Sequence, residues 1–480
     1  MKKTTKFRSA LLFFISAVAC INSYCYSQSS FPKTKTSIVD IKALTCFNGT
    51  YGNIINGQSF QQDALTSYKG WQYIAYYDWN RHVCVGRRKL PGGAWEIARL
   101  VDYHYSYSKN QENDTHNVIS MGLSKNDGTF HLAFDHHGGP LHYRVSDKNI
   151  LDHPEKVKWA SFLFKPVINY LEEGKPVPVI TYPAFISTPQ GDLLFAFRNG
   201  ISGNGDCLVG RYDGSTGKWE NPHIYISGQG DYTDPFAGLS KTRNAYLNGF
   251  SYDRNDQLHI SWTWREIVSS FGNRDICYAY SKDNGSSWYN DKNEEVASYN
   301  GIAELKPINA FTPNIVVKDL NRGWGMMNQQ SQAVDNDLKP HIVMYHRKSP
   351  SNKPAWAKMA DGAYFHYYKK KDVWQENELP FIGNRPKLVS DRKDNLYLVF
   401  IRKDHFDAKD QGAPLVIVKA TAKTEWKDWK EVYVSKEKYF NEPQLDLPRW
   451  TKDNVLSIMV QDVPDREGSS SNIKVLDIKF

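Results

Sequence analysis

The chain has 480 residues, a formal net charge of +8, 40% hydrophobic and 14% aromatic residues, with 29 Tyr and 14 Trp. That length and apolar content support a large core and exclude a miniprotein held together by disulfides or metal. Lys and Arg are scattered along the chain rather than clustered, which argues against nucleic acid; a basic, aromatic-rich chain is better matched to an acidic polysaccharide.

The opening segment, MKKTTKFRSALLFFISAVACINSYCYSQ, reads as an export signal. Lys2, Lys3, Lys6 and Arg8 precede an apolar run, Ala10 to Ala19, too short for a membrane anchor. Cleavage is expected near Ser27, giving a signal peptide at 1–27 and a mature domain at 28–480. Cys20 is the competing reading, as a lipid-attachment residue, disfavoured by Ala17. Either way the product is expected to be exported: secreted, periplasmic or at the cell surface. No later segment is long and apolar enough to span a bilayer. Cys46, Cys84, Cys207 and Cys277 are widely spaced without a CxxC pair, so neither a disulfide framework nor a zinc ribbon is indicated.

From residue 69 onward a turn followed by an apolar strand with a polar end recurs seven times. The segments are KGWQYIAYYDWN (69–80), DGTFHLAFDHH (127–137), QGDLLFAFRNG (190–200), NDQLHISWTWRE (255–266), DLKPHIVMYHRK (337–348), KDNLYLVFIRK (393–403) and KDNVLSIMVQD (452–462). Only 151–175 reads as a short helical insert. Seven repeated β-units predict an all-β fold, a seven-bladed β-propeller of antiparallel four-stranded blades. SKDNGSSW (281–288) fits the S-x-D-x-G-x-x-W turn found in propeller blades.

Three consecutive repeats place polar pairs at one end of their hairpins. His116 precedes the turn of the second repeat and His136 follows it. Tyr182 and Arg198 do the same in the third repeat, and Tyr246 and Arg265 in the fourth. His and Tyr transfer protons, and Arg grips a carboxylate through parallel hydrogen bonds. A base, an acid and a carboxylate clamp are what β-elimination from a uronic acid needs, because the C5 proton becomes acidic only once the adjacent charge is neutralised. In this reading His116 is the base, Tyr182 the acid and Arg265 the neutraliser with Arg198 in support; no metal is required. Arg347 and Arg402 occupy equivalent strand ends without obvious partners.

On the His116/His136 pair and the Tyr182–Arg198 and Tyr246–Arg265 spacings, the sequence resembles the seven-bladed ulvan lyases, especially polysaccharide lyase family 25. The resemblance implies His116 and Tyr182 as catalytic residues and His136, Arg198, Tyr246 and Arg265 as substrate-binding residues. It also implies a sulfated rhamnose–uronate polysaccharide as substrate, cut to leave a 4,5-unsaturated uronate at the new non-reducing end. A monomer is expected. The alternatives are an exo-acting rhamnose–glucuronate lyase on arabinogalactan side chains, or a carbohydrate-binding propeller without catalysis. The segment NGQSFQQDAL has no histidine where the α-rhamnosidase group of the same superfamily is expected to carry one. FDHHGGPLH gathers Asp135, His136, His137 and His142; their spacing has no preferred metal pattern, so a structural metal ion is left open and no ligand is assigned.

Overall fold

The computed structural model describes residues 32–46, 54–61, 63–104, 114–234, 238–299, 306–351, 361–403 and 412–480. The expected export signal at 1–27 lies outside them. Seven antiparallel blade sheets follow one another along the chain, each with an inner strand that turns back into a second, fully buried strand, and two small two-stranded hairpins lie beside them. The arrangement is the expected seven-bladed propeller.

The seven recurring segments are the second strands of the seven blades. Trp71–Tyr77, Thr129–Phe134, Leu193–Arg198, Leu258–Arg265, Pro340–Arg347, Leu396–Ile401 and Leu456–Gln461 are buried along their full length. A strand covered on both faces by neighbouring blades needs apolar or fully hydrogen-bonded side chains at every position, and its sequence becomes a continuous apolar run. Two buried histidines and a tyrosine in these runs are paired internally. Asp253 and Asp335 reach across their turns to His259 and His341 at 3.1 and 3.2 Å, and Asp391 reaches Tyr397 at 3.4 Å, so these ring groups serve the blades and not a ligand.

Blades one, five, six and seven have four strands as expected, whereas the second has three, and the outer strand is broken in the third and fourth. The segment 151–175 contains two 3₁₀ turns, Pro154–Lys156 and Ser161–Leu163, and the start of a small hairpin, with no α-helix. Among the described residues the one α-helix is Leu447–Asp453, in the seventh blade. Its sequence signals are an Asp446 side chain that accepts from Arg449 N, a proline in the first turn and Asn454 in the left-handed conformation. Ser281, Asp283, Gly285 and Trp288 form the expected turn in the fourth blade: Asp283 accepts from Ser287 N at 2.7 Å and the Trp288 indole donates to Gly285 O at 3.1 Å. Cys46, Cys84, Cys207 and Cys277 are buried free thiols.

Ring closure joins the two ends of the described chain. Lys33–Ala43 pairs antiparallel with Ser471–Lys479 and supplies the outermost strand of the seventh blade. Arg88, fully buried in the first blade, donates to both carboxylate oxygens of Asp477 at 3.0 and 2.8 Å and to Ser37 Oγ at 2.8 Å. One guanidinium therefore ties the first blade to both closing strands. Arg88→Ala leaves a buried carboxylate short of its partner and is expected to cost about 3–5 kcal/mol, read as a lower urea midpoint. A loss below about 1 kcal/mol would show that Arg449, which also donates to Asp477, suffices alone.

Candidate active site

The inner strands of the second, third and fourth blades begin at one end of the central channel. Ile119–Ser124, Ile180–Ser187 and Asn244–Tyr252 carry His116, Tyr182 and Tyr246 at or just before their starts. Their hairpin partners bring Arg198 and Arg265 to the same end.

The facing partner of His116 is His137, not His136. Ser124 pairs with Thr129 and Ile119 with Phe134, so extending the register puts residue 116 opposite 137. The connection spans four residues, one more than a turn centred on Asn126 implies. Asp135 then adopts a left-handed φ of 64° and redirects the chain. His136 turns inward, 0% exposed, and its Nε2 accepts the His142 amide at 2.8 Å. His136, expected at the site, thus lies buried behind the strand end, while His137 is the residue beside His116. His137–Gly139 crosses to the third blade and pairs with Ile180 and Thr181, which carries the histidines toward Tyr182.

The imidazoles of His116 and His137 stack at 4.2 Å with 10° between planes. Asp114 holds both: its Oδ1 lies 3.1 Å from His116 Nδ1 and its Oδ2 2.6 Å from His137 Nδ1. Burial would raise the Asp114 carboxyl, but the hydrogen bonds with the two histidines outweigh it and hold the group well below the usual carboxylate range. Burial pushes His116 down to about 4, so its imidazole is neutral at neutral pH. Phe60 stacks on His116 at 5.4 Å and meets Tyr182 edge-on at 5.0 Å.

Tyr182 sits on a β-bulge. Thr181 pairs with Arg198 and Ala184 with Ala196, leaving two residues opposite Phe197, and Tyr182 takes a φ of 55°. A left-handed non-glycine residue is a strained choice that re-aims a side chain. Here it places the ring 5.9 Å from His116 and 5.7 Å from Tyr246. Burial, reinforced by Tyr246, pushes the Tyr182 hydroxyl well above an ordinary phenol. Burial also raises Tyr246, yet Arg265 and Arg198 overcome it and bring that hydroxyl below the ordinary value.

Both arginines converge on Tyr246. Arg265 Nη1 donates to its hydroxyl at 2.8 Å and Arg198 Nη1 at 3.4 Å. Tyr246 pairs in register with Thr263, so Arg265 is its diagonal neighbour on the same face. Arg265 also donates to Asn273 Oδ1, Ser202 Oγ and Asn328 Oδ1 at 2.7, 3.3 and 3.0 Å. Arg198, 4% exposed, has a buried Nε with no hydrogen-bond partner and lies 5.0 Å above the Tyr182 ring. Neither guanidinium meets a carboxylate among the described residues. The equivalent strand-end arginines differ: Arg347 donates to the carbonyls of Gly323 and Ser351, and Arg402 pairs with Glu431. Of the four arginines in equivalent places, Arg402 thus pairs with a carboxylate and Arg347 is held by main-chain carbonyls, while Arg198 and Arg265 meet only neutral side chains among the described residues.

Sequence reasoning missed Asp114, Phe60, Ser202 and Asn328, and it noted His137 only as one of the residues gathered in FDHHGGPLH. The Asp114-Thr115-His116 spacing was a local signal for the first; the others are brought in by the redirected chain after Asp135 or by loops of other blades. Among the described residues, Asp114, His116 and His137 form the one group whose metal-ligating atoms lie within 4.8 Å of one another. Asp135 and His142 instead interact with Tyr103.

Residues 71–382 match the family model described as BNR repeat-containing family member. The chain belongs to that family. An ulvan lyase, long isoform, of Glaciecola sp. (strain KUL10) is 24% identical over 276 residues, 49% of this chain and 26% of the relative. Another, from an Alteromonas sp, is 23% identical over 350 residues, 64% of this chain and 33% of the relative. The matches thus span about a quarter to a third of these relatives' length. Among solved structures, polysaccharide lyase Uly1 superposes with a TM-score of 0.70 at 17% identity, covering 93% of this chain and 99% of that one. A PL25 ulvan lyase bound to -[GlcA(1-4)Rha3S]- gives 0.64 at 14%, covering 92% and 95%. At such identities the superpositions establish the fold of this BNR-repeat chain.

Proposed function

We propose that this BNR-repeat propeller is a polysaccharide lyase that cleaves ulvan by β-elimination. The observation that carries the reading is the pair of buried guanidiniums, Arg198 and Arg265, with neutral partners only, beside a neutral histidine and a protonated tyrosine. A buried cation without a counter-ion is costly, and a substrate carboxylate supplies the missing charge. The names of the relatives, ulvan lyases, agree with this reading.

In the proposed reaction the uronate carboxylate lies against Arg198, whose buried Nε has no other partner, while Arg265 holds Tyr246 and adds its charge. This exchanges the emphasis expected from sequence, where Arg265 led. His116, donating through Nδ1 to Asp114, carries its lone pair on Nε2 and removes the C5 proton. Charge delocalised onto the carboxylate is met by the guanidiniums. The electron pair from the C5–H bond forms the C4–C5 double bond as the C4–O bond breaks, and Tyr182 protonates the departing glycosidic oxygen. His137 and Tyr246 orient the base and the clamp. His116 then releases the proton it took to solvent, and Tyr182 regains one from solvent.

The test is ultraviolet absorbance of the conjugated alkene during incubation of the mature chain with ulvan. A rise that survives dialysis against EDTA is expected, because the arginines neutralise the carboxylate in this mechanism. Binding of ulvan with no absorbance rise would make the protein a lectin and overturn the lyase reading. A chain exported as residues 1–27 lead one to expect would meet such a polymer directly. Among the described residues no helix is long and apolar enough to cross a membrane.

A further inference from the structure

The arginine cluster extends beyond the pair that faces the uronate. Asn328, buried in the loop before the inner strand of the fifth blade, accepts from two guanidiniums at once. Its side-chain Oδ1 takes Arg265 Nη2 at 3.0 Å, and its main-chain carbonyl takes Arg385 Nε at 2.8 Å. Arg385 belongs to the sixth blade, directly before the inner strand Lys387–Ser390. Its Nη1 donates to Glu442 Oε1 at 3.1 Å; Glu442 Oε2 is already taken by Ser59 N at 2.6 Å.

A continuous chain of hydrogen bonds therefore runs Tyr246–Arg265–Asn328–Arg385–Glu442 across four blades. Arg385 Nη2 has no hydrogen-bond partner among the described residues, and its side chain keeps 19% exposure. The positive charge of Arg385 is felt at His116, Tyr182 and Arg265, on three different blades, so it stands in the same field as the proposed chemistry. A guanidinium with two donors fixed and one terminal nitrogen left over is pre-oriented for an oxyanion and loses little freedom on binding one.

We propose that Arg385 binds a second anionic group of the polysaccharide, one sugar or more from the uronate being cleaved. The shared chemistry is an oxyanion on the chain: a sulfate ester or a further uronate carboxylate. Arg198 and Arg265 meet on Tyr246 and serve the reacting carboxylate; Arg385, beyond Asn328, serves the next charge. This rests on the lyase reading for its substrate, and it makes Arg385 a residue that selects densely charged chains.

The experiment compares wild type with Arg385→Ala and Arg385→Lys on native and on chemically desulfated ulvan. KM for native ulvan is expected to rise about tenfold in Arg385→Ala, the equivalent of about 1.4 kcal/mol, with kcat changed less than threefold and a partial return in Arg385→Lys. If the effect disappears on desulfated ulvan the group is a sulfate; if it persists equally the group is a carboxylate. An unchanged KM on both substrates, or a fall in kcat alone, overturns the proposal. Should Arg385→Ala fail to fold because Glu442 loses its partner, the paired change Arg385→Gln with Glu442→Gln keeps a neutral hydrogen bond there and is read identically. If wild type shows no elimination at all, the lyase reading has failed on its own. Calorimetric titration with sulfated ulvan oligosaccharides then decides this inference: about tenfold weaker binding by the variant supports it and equal binding sinks it.

Discussion

Tyr182→Phe is expected to lower kcat on ulvan by about 10²–10⁴-fold while leaving KM within a few fold, because only the transferable proton is removed. The ring contacts with Phe60, His116 and Tyr246 survive the change, as does the bulge geometry at φ 55°. Burial keeps the wild-type hydroxyl protonated well beyond neutral pH, which suits the proton donor of the proposed mechanism. The neighbouring phenol, Tyr246, is pulled the opposite way by two arginines. Two phenols whose surroundings push them apart in acidity mark which one keeps its proton. Near-UV circular dichroism should be unchanged. Turnover within threefold of wild type would remove Tyr182 from the chemistry and pass the acid role to another group.

His116→Ala is expected to reduce kcat by about 10²–10⁴-fold as well, with the wild-type pH profile carrying the more specific signature. Burial brings His116 from its ordinary 6.5 to about 4, so the base stays neutral far into acid. The acid limb of kcat/KM should therefore fall near pH 4 and stay flat through pH 6.5; a limb at 6.5 would mean that the base is a solvated imidazole elsewhere. Stability follows the same group. The unfolded chain takes up a proton near pH 6.5 and the folded chain only near pH 4, so stability attributable to a neutral His116 is present above 6.5 and is lost as pH falls toward 4. His116→Ala should flatten that part of the stability curve, measured as denaturant midpoint against pH.

These effects divide the site into what local sequence exposes and what it conceals. His116, Tyr182, Arg198, Tyr246 and Arg265 were visible because each is a polar residue at or beside the end of an apolar strand, and strand ends of successive blades fall at one end of a propeller. The face to which each side chain turns was not visible. A one-residue error in register exchanges the two faces of a strand, and the four-residue connection at 125–128 exchanged His136 for His137. The bulge at Tyr182 and the left-handed Asp135 are departures from regular alternation that no period-two pattern contains. Arg347 and Arg402 looked equivalent to Arg198 and Arg265 in sequence; their carbonyl and Glu431 partners come from other segments.

By itself the sequence determined the blade count and the all-β class, since seven central strands buried on both faces must each be written as an apolar run, whatever surrounds them. It also determined which residue types stand at the strand ends. Only the tertiary structure decided that Lys33–Ala43 closes the ring beside Ser471–Lys479, that His137 crosses to the third blade, and that Asn328 joins Arg265 to Arg385. Each of these joins segments distant in sequence through hydrogen bonds whose partners are tens to hundreds of residues apart. Such pairings leave no periodic trace along the chain, because they are chosen by the closure of the ring and not by the strand that carries either partner.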